Sequence, residues 1–553
     1  MLDLHSSTVA GTVRLVESDL AASEVVLIPT PSSDLRDPLN WSKKRKYIQL
    51  VCVTLYTMAA ALSASSLFAV FVPLSKATGL TLTELNSGTG YSYFSIGFGP
   101  LLLQPLALAF GKRPIYLISA FAVAGITMWM PHAEGYGQWI ANRILFGFFG
   151  SPSFAMVEVS ISDVFFLHER GLPMGGYILF LYLGATLAPL LGGFIFNGMG
   201  WQAVLYFNGG FNALVALFLF FFLEETNFER PETQFVAPTT PAIDPTLDLH
   251  NTISVSDKKE AFDTSVHESH VIEDPIAAAQ PELEESQKLK FGKPWLTFGK
   301  RSPYAAAVLL RGCLVPMTLL ALPLVWWIGL MYGIYQIWFN TIGSLVSLTL
   351  SSPPYNFTVT QVGLAYISPA LGVLPGAIYG GWLSDWHSMK LAKNANGVFE
   401  PEMRLHLMWI PSIITPIALL MMGLGPYYEA HWIVFVLGLG LINMAGPLGT
   451  VITLNYAFDC YHGMAPTGND KQAQLINHKS APYIVASMII AMSMAFGYGY
   501  AVTPWILGLG FRDFGITAAA VATAFNLSTI IIVKYGKRMR RQGQGFYEKM
   551  VNY

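Results

Sequence analysis

The chain has 553 residues, of which 53% are hydrophobic and only 12% are charged, and its mean hydropathy is +0.47. Because soluble domains carry about 25% charged residues, this composition excludes an ordinary soluble protein and predicts a chain that crosses a membrane several times. The net charge of −2 gives no sign of a nucleic-acid partner. The three cysteines, Cys52, Cys313 and Cys460, are far apart and lack metal-ligand spacing, so we expect no metal and no cofactor.

The chain begins with a polar tail of mixed charge, residues 1–46. This tail lacks the apolar segment of a cleavable signal peptide. The first apolar run starts at Tyr47, directly after the basic cluster 43–46. Basic residues beside a span favour the cytoplasmic side of a membrane. We therefore expect this tail in the cytoplasm.

Twelve windows are long and apolar enough to cross the ~30 Å hydrocarbon core of a bilayer. They form two groups of six, in residues 47–223 and 304–535, and the second group is preceded by a surface helix from Pro303 to Leu314. The predicted fold class is an all-α membrane protein of two six-helix bundles. The windows are 47–71, 84–109, 114–130, 137–160, 173–196, 201–223, 319–343, 358–382, 404–424, 431–457, 480–504 and 514–533.

A polar insert, residues 224–303, separates the two groups of windows. It holds 15 of the 34 acidic residues and is rich in Pro, Ser and Thr. Such a composition cannot bury an apolar core, so it predicts a disordered acidic linker.

Basic residues are distributed unevenly between the two ends of the predicted spans. The predicted outer loops hold only Lys76 and Arg512, whereas the opposite loops and the tail 536–553 are rich in Lys and Arg. This asymmetry predicts that both termini and the linker are cytoplasmic. The triplet at Asn356 matches a glycosylation acceptor and falls in the outer loop before the eighth window.

The fourth window contains charges that are unusual in an apolar helix. Asn142 and Arg143 lie near one end and Glu158 near the other. At ~100° per residue, Arg143, Gly147 and Gly150 share one face. Because a charge that faces lipid costs several kcal/mol, this face should look into the protein or a water-filled cavity. Snorkelling of both charges to the membrane surfaces remains the alternative.

Window seven carries aromatic and polar side chains at helical spacing, which favours a lumen over a lipid-facing surface. Helix packing and anchoring at the membrane surface remain the alternative for each aromatic residue. The residues that we expect to line a substrate cavity are Phe68, Phe71, Asn142, Arg143, Tyr182, Trp327, Tyr332, Gln336 and Asn340.

Several motifs resemble those of the major facilitator superfamily. Arg143 followed by Gly147 resembles the fourth-span motif of that family, and residues 184–193 resemble the span-five motif of its drug:proton antiporters. Residues 381–386 resemble the signature loop in its second copy. The phrases FFLHERG, FFLEETNFER and PEMRL resemble fungal members, both drug or metabolite exporters and polyamine or cation permeases.

The chain departs from the family pattern in two places. Ala188 stands where the span-five motif usually has glycine, and in the first signature loop Leu108 and Ala109 replace the usual Asp and Arg. The resemblance implies two bundles that rock against each other around a central site, with broken or Gly/Pro-marked helices near the interface. We expect the helix-break motif of span five at Gly184, Pro189, Gly192 and Gly193.

Few acidic residues can carry a proton through the membrane. Glu158 is the one carboxylate that falls well inside a window, and Asp163 is the nearest alternative. Asp385 and Arg170 are better placed for gate contacts between the two halves at the cytoplasmic side.

These features predict a transporter and not an enzyme. There is no ATP-binding loop and no hydrolytic or redox constellation, so gradients must drive transport. The predicted function is export of small amphipathic molecules, xenobiotics or metabolites, in exchange for protons, by a monomer in the plasma membrane. An uptake permease for polyamines or other cations and a transporter-like nutrient sensor are the two alternatives.

Overall fold

The computed structural model describes residues 12–14, 32, 34, 37–166, 169–228, 305–395, 398–461 and 482–551. In these residues, ten apolar segments are long enough to cross a membrane when the bent pair Ala305–Leu319 and Pro323–Leu350 is counted as one. Two of the ten break at a glycine with a left-handed backbone, Gly200 (φ 83°) and Gly510 (φ 76°). Twelve spans result, and the predicted fold class is confirmed.

We number the spans in chain order. Spans one to four are Lys43–Thr78, Leu82–Phe110, Lys112–His132 and Gly135–Val164. The helix Gly171–Phe222 contains span five (171–199) and span six (201–222). Span seven is Pro323–Leu350, span eight Val359–Asn394, span nine Glu402–Tyr427 and span ten Trp432–Cys460. The helix Pro482–Val551 contains span eleven (482–509) and span twelve (511–551). Short 3-10 helices occupy Pro38–Asn40, Phe68–Val70, Met130–His132 and His406–Met408.

Local sequence explains where several spans begin. Thr81 and Glu84 form a capping box at the start of span two, and Thr358 and Gln361 form another at the start of span eight. Pro152 begins a new helical segment inside span four, after a break at Ser151.

The predicted helix before span seven is present as Ala305–Leu319, and it makes an angle of 88° with span seven. It packs on span two, where Ala305 and Val308 contact Leu108 and Ala109. Leu108 and Ala109, the apolar residues of the first signature loop, are thus covered by the helix Ala305–Leu319.

The two halves contact each other through glycines. Gly90 of span two faces Gly499 of span eleven, and Gly193 of span five faces Gly363 of span eight, each with backbone atoms about 3 Å from where a Cβ would be. Small residues let helix backbones approach closely, which increases the dispersion attraction between them. This attraction stabilises helix pairs in a membrane, where the hydrophobic effect does not drive helices together.

The ends of the predicted linker and tails have defined contacts. Arg45 forms a bidentate ion pair with Glu224. Glu225 accepts hydrogen bonds from the backbone N–H groups of Lys112 and Arg113 at the start of span three. Residues 229–304, which form most of the predicted linker, lie outside the described residues. Two short strands, Val13–Arg14 and Val398–Phe399, pair antiparallel.

The predicted basic tail 536–553 continues span twelve as helix up to Val551. Arg540 lies fully buried in this extension and donates to both carboxylate oxygens of Glu402, at 2.9 and 2.7 Å. The extension is therefore anchored to span nine.

Candidate functional site

Glu158 lies in the second segment of span four and is 2% exposed. Its Oε2 is buried and has no hydrogen-bond partner among the described residues. Tyr177 of span five and Tyr332 of span seven lie near this carboxylate, so each half contributes a side chain close to it. A buried oxygen without a donor costs free energy, and either a bound proton or a cationic ligand would relieve this cost.

Arg143 is 3% exposed, and its guanidinium lies 4.7 Å from the ring of Trp139. Its Nε has no hydrogen-bond partner among the described residues. The backbone of span two comes close, because a Cβ at Gly147 would overlap the carbonyl oxygen of Ser92. Arg143 is therefore an interior residue, as the face pattern predicts.

Span seven brings polar side chains to the same region. Asn340 and Gln336 lie beside the hydroxyl of Tyr93, and both amide atoms of Asn340 are buried without a partner in the described part of the chain. Tyr182 of span five is within hydrogen-bond distance of Thr450 of span ten, 3.2 Å between the hydroxyl oxygens. Of the residues expected in the cavity, Arg143, Tyr182, Tyr332, Gln336 and Asn340 lie in this region between the halves.

Four other residues expected in the cavity have different neighbours. Asn142 donates to the carbonyl of Ile126 at 2.8 Å and so ties span four to span three. Trp327 donates to Ser528 at 2.9 Å, within the second half. The ring of Phe68 packs on Gly343, and Phe71 packs edge-on against Phe68.

Span five differs from the expectation of a broken helix. The helix continues through Pro189, and Gly200 is its one described residue outside helical geometry. The glycines of the motif instead allow close packing: Gly184 and Gly192 lie against the span-one carbonyl oxygens of Met58 and Ser66. Pro189 is tolerated because a spanning helix held by neighbouring helices can absorb the loss of one backbone hydrogen bond.

The end of the bundle that leads to residue 229, which we call the linker end, carries a buried ionic network. Arg404 of span nine pairs with Asp385 of span eight at 2.5 Å and also with Asp459 of span ten. Asp385 contacts the other half, since its Oδ2 occupies the place of a Cβ at Gly171, the first residue of span five. Arg170 donates to the carbonyl oxygens of Ser162 and Phe165 and closes the turn between spans four and five.

Asp163 has a cationic partner, unlike Glu158. Its carboxylate pairs with Lys112 at the start of span three. This contact stays within the first half, so it holds spans three and four together.

Among the described residues no group of three or more His, Cys, Asp or Glu side chains could hold a metal ion.

A sequence model of the Major Facilitator Superfamily matches residues 53–461. The chain belongs to this superfamily. It is 25% identical to an uncharacterised MFS-type transporter of Schizosaccharomyces pombe and 25% identical to the protein HOL1 of Saccharomyces cerevisiae, with 100% of this chain and 96% of each relative covered. The solved proton:xylose symporter XylE has the same fold, with a TM-score of 0.55 and 13% identity over 89% of this chain and 97% of that one.

Superfamily members are membrane-embedded transporters of small molecules, and this chain is a multi-pass membrane protein of that kind.

The structure closes both ends of its central region. Asn86 of span two donates to Thr503 of span eleven and accepts from Ser344 of span seven, each at 3.0 Å, at the end opposite the linker. The network at Asp385 closes the linker end.

Sequence reasoning missed several of these residues. Tyr93, Tyr177, Thr450 and Asn86 are single polar side chains within apolar windows, and no motif distinguishes them. The glycine spacing in span two, at Gly90 and Gly97, marks the face that meets span eleven and would have placed Tyr93 near that interface.

Asn356 lies exposed in the loop between spans seven and eight, at the end opposite the linker. Its backbone has φ 48°, which asparagine adopts more readily than most residues. Glycosylation of this residue stays a prediction.

Proposed function

We propose that this chain exports small amphipathic organic molecules across the plasma membrane in exchange for protons, with the linker end in the cytoplasm. The observation that carries the proposal is Glu158: a buried carboxylate with an unpartnered oxygen, near tyrosines from both halves. A carboxylate in this position can bind a proton in one conformation and release it in the other, because its surroundings change when the halves move.

The two closed ends supply the gates of an alternating-access cycle. Opening the linker end separates Asp385 from Gly171, and opening the other end breaks the hydrogen bonds of Asn86 to Thr503 and Ser344. Each set of contacts exists in one group of conformations only, so it shifts the equilibrium between them. The aromatic side chains of Tyr182 and Phe339, whose rings lie 5.3 Å apart, would contact the apolar part of a substrate.

The test is transport by the purified chain in proteoliposomes with an imposed pH gradient and a mixed panel of amphipathic compounds. Glu158→Gln should reduce the pH-driven accumulation of substrate at least tenfold and should still exchange substrate. Gln preserves the size of the side chain but cannot carry a proton. Glu134→Gln, at an exposed carboxylate at the start of the same span, serves as the control. Unchanged pH-driven accumulation by Glu158→Gln would remove the coupling role.

A second candidate function is uptake of polyamines or other cations. The proximity of Tyr177 and Tyr332 to Glu158 favours it, because a carboxylate beside aromatic rings can bind an ammonium group. In the same proteoliposomes, spermidine accumulation that disappears in Glu158→Gln would support this function over export.

A further inference from the structure

Polar side chains from both halves lie close to Tyr93, which itself lies near Arg143. Arg143 belongs to span four and Tyr93 to span two, whereas Gln336 and Asn340 belong to span seven. All four are buried, at 3% exposure for Arg143 and 6% for each of the others. The Nε of Arg143 and both amide atoms of Asn340 have no hydrogen-bond partner within the described residues.

The charge of Arg143 is also uncompensated. No carboxylate among the described residues forms an ion pair with it, and Glu158 lies fifteen positions away on the same span, roughly 22 Å along a helix axis. The ring of Trp139 lies against the face of the guanidinium. The N–H bonds of the guanidinium point outward in its own plane, so the ring does not accept hydrogen bonds from them. A buried cation without a partner is costly, and the cost disappears when an anion accepts its hydrogen bonds.

Donors dominate this site. The guanidinium of Arg143 has five N–H donors in a planar fork, the two amides add NH₂ groups, and the Tyr93 hydroxyl can donate as well. A carboxylate matches the fork with two parallel hydrogen bonds. An ammonium group could donate to Oδ1 of Asn340, but it would place a second positive charge beside the guanidinium and leave the donors of Arg143 without an acceptor.

We propose that Arg143, Asn340, Gln336 and Tyr93 bind the carboxylate of the transported molecule, so that the substrates are amphipathic organic acids. This inference rests on the proposed transport function and specifies its substrate class. Arg143 and Tyr93 come from the first half and the two amides from the second, so a bound acid contacts both halves and stabilises the closed state. Glu158 remains separate, as the group that exchanges the proton.

The test compares ligands that differ only in the charged group. The full chain in detergent is titrated calorimetrically with 1-naphthylacetate, 2-naphthylacetate and indole-3-acetate, with the primary amide of each, and with the corresponding arylethylamines. The acids should bind at least tenfold more tightly than their amides, and the amines least tightly of all. Arg143→Gln should remove this preference for acids, because it should weaken binding of the acids at least fivefold more than binding of the amides.

Two further variants separate a direct contact from a structural effect. Arg143→Lys should keep part of the preference because it keeps the charge, and Asn340→Leu should weaken acid binding several-fold. Arg512→Gln, at an exposed arginine, is the matched control. Equal or tighter binding of amides or amines, no saturable binding of any acid, or an equal loss for all ligands in Arg143→Gln would overturn the proposal.

The result is independent of proton coupling. If pH-driven transport depends on Glu158 but ligands show no preference for acids, this inference fails and the proposed function stands. If acids bind selectively but Glu158→Gln transports normally, the coupling role fails and the binding site stands.

Discussion

The carboxylate of Asp385 lies against the first residue of span five, with its Oδ2 at the position that a Cβ of Gly171 would occupy. A side chain at 171 therefore cannot coexist with the closed linker end. Since Asp385 is also held by Arg404, at 2.5 Å, it cannot move aside without losing an ion pair. Gly171 is thus the residue through which span five meets the ionic network of the second half.

We expect Gly171→Ala to shift the protein toward conformations open at the linker end. The shift should appear as at least a fivefold faster reaction of a cysteine introduced at Met174, a buried residue one turn into span five, with a water-soluble maleimide. Gly176→Ala is the control on the same span, because a Cβ there has no neighbour within 4 Å. Equal reaction rates in the two variants would show that Gly171 does not hold the gate.

Gly184→Ala should destabilise the first half. A Cβ at this position would lie 2.5 Å from the carbonyl oxygen of Met58, so spans one and five must separate, and overpacking of this kind costs about 1–3 kcal/mol. The apparent melting temperature in detergent should fall by several degrees. Gly198→Ala, where the added carbon meets nothing within 4 Å, should leave it unchanged. A stable Gly184→Ala protein would contradict close packing between spans one and five.

Arg540→Ala should destabilise the second half strongly, because it leaves the buried carboxylate of Glu402 without the two hydrogen bonds that it now accepts. Removal of one partner from a buried ion pair costs about 3–5 kcal/mol. The measurement is again the apparent melting temperature in detergent. Arg541→Ala changes the exposed neighbouring residue and should have little effect. If both variants melt alike, the helical extension of span twelve is not anchored by this pair.

Asn356→Gln tests the orientation. If the end opposite the linker faces the outside, the wild-type chain expressed in a eukaryotic cell carries a glycan, and glycosidase treatment increases its gel mobility, while the variant shows no such change. The exposure of Asn356 in its loop makes it accessible to the modifying enzyme. A glycan at Asn526, which is buried in span twelve, would instead contradict the span assignment.

Length and apolar content are local properties of the chain, and they are enough to predict the twelve spans and the helix before span seven. Each span satisfies its own backbone hydrogen bonds, so a run of about twenty apolar residues specifies a membrane helix without reference to the rest of the chain. For the same reason the charges of Arg143 and Glu158 stood out, since a charge in an apolar helix is costly wherever the helix packs.

Which side chains pair with each other is decided by the tertiary structure. Asp163 and Glu158 lie in the same span, but one pairs with Lys112 and the other has an unpartnered oxygen, and only the positions of spans three, five and seven decide which. Helical spacing likewise predicts which side chains share a face but not which helix that face meets. Trp327 therefore packs within the second half, whereas Asn340, on the same span, lies beside Tyr93 of the first half.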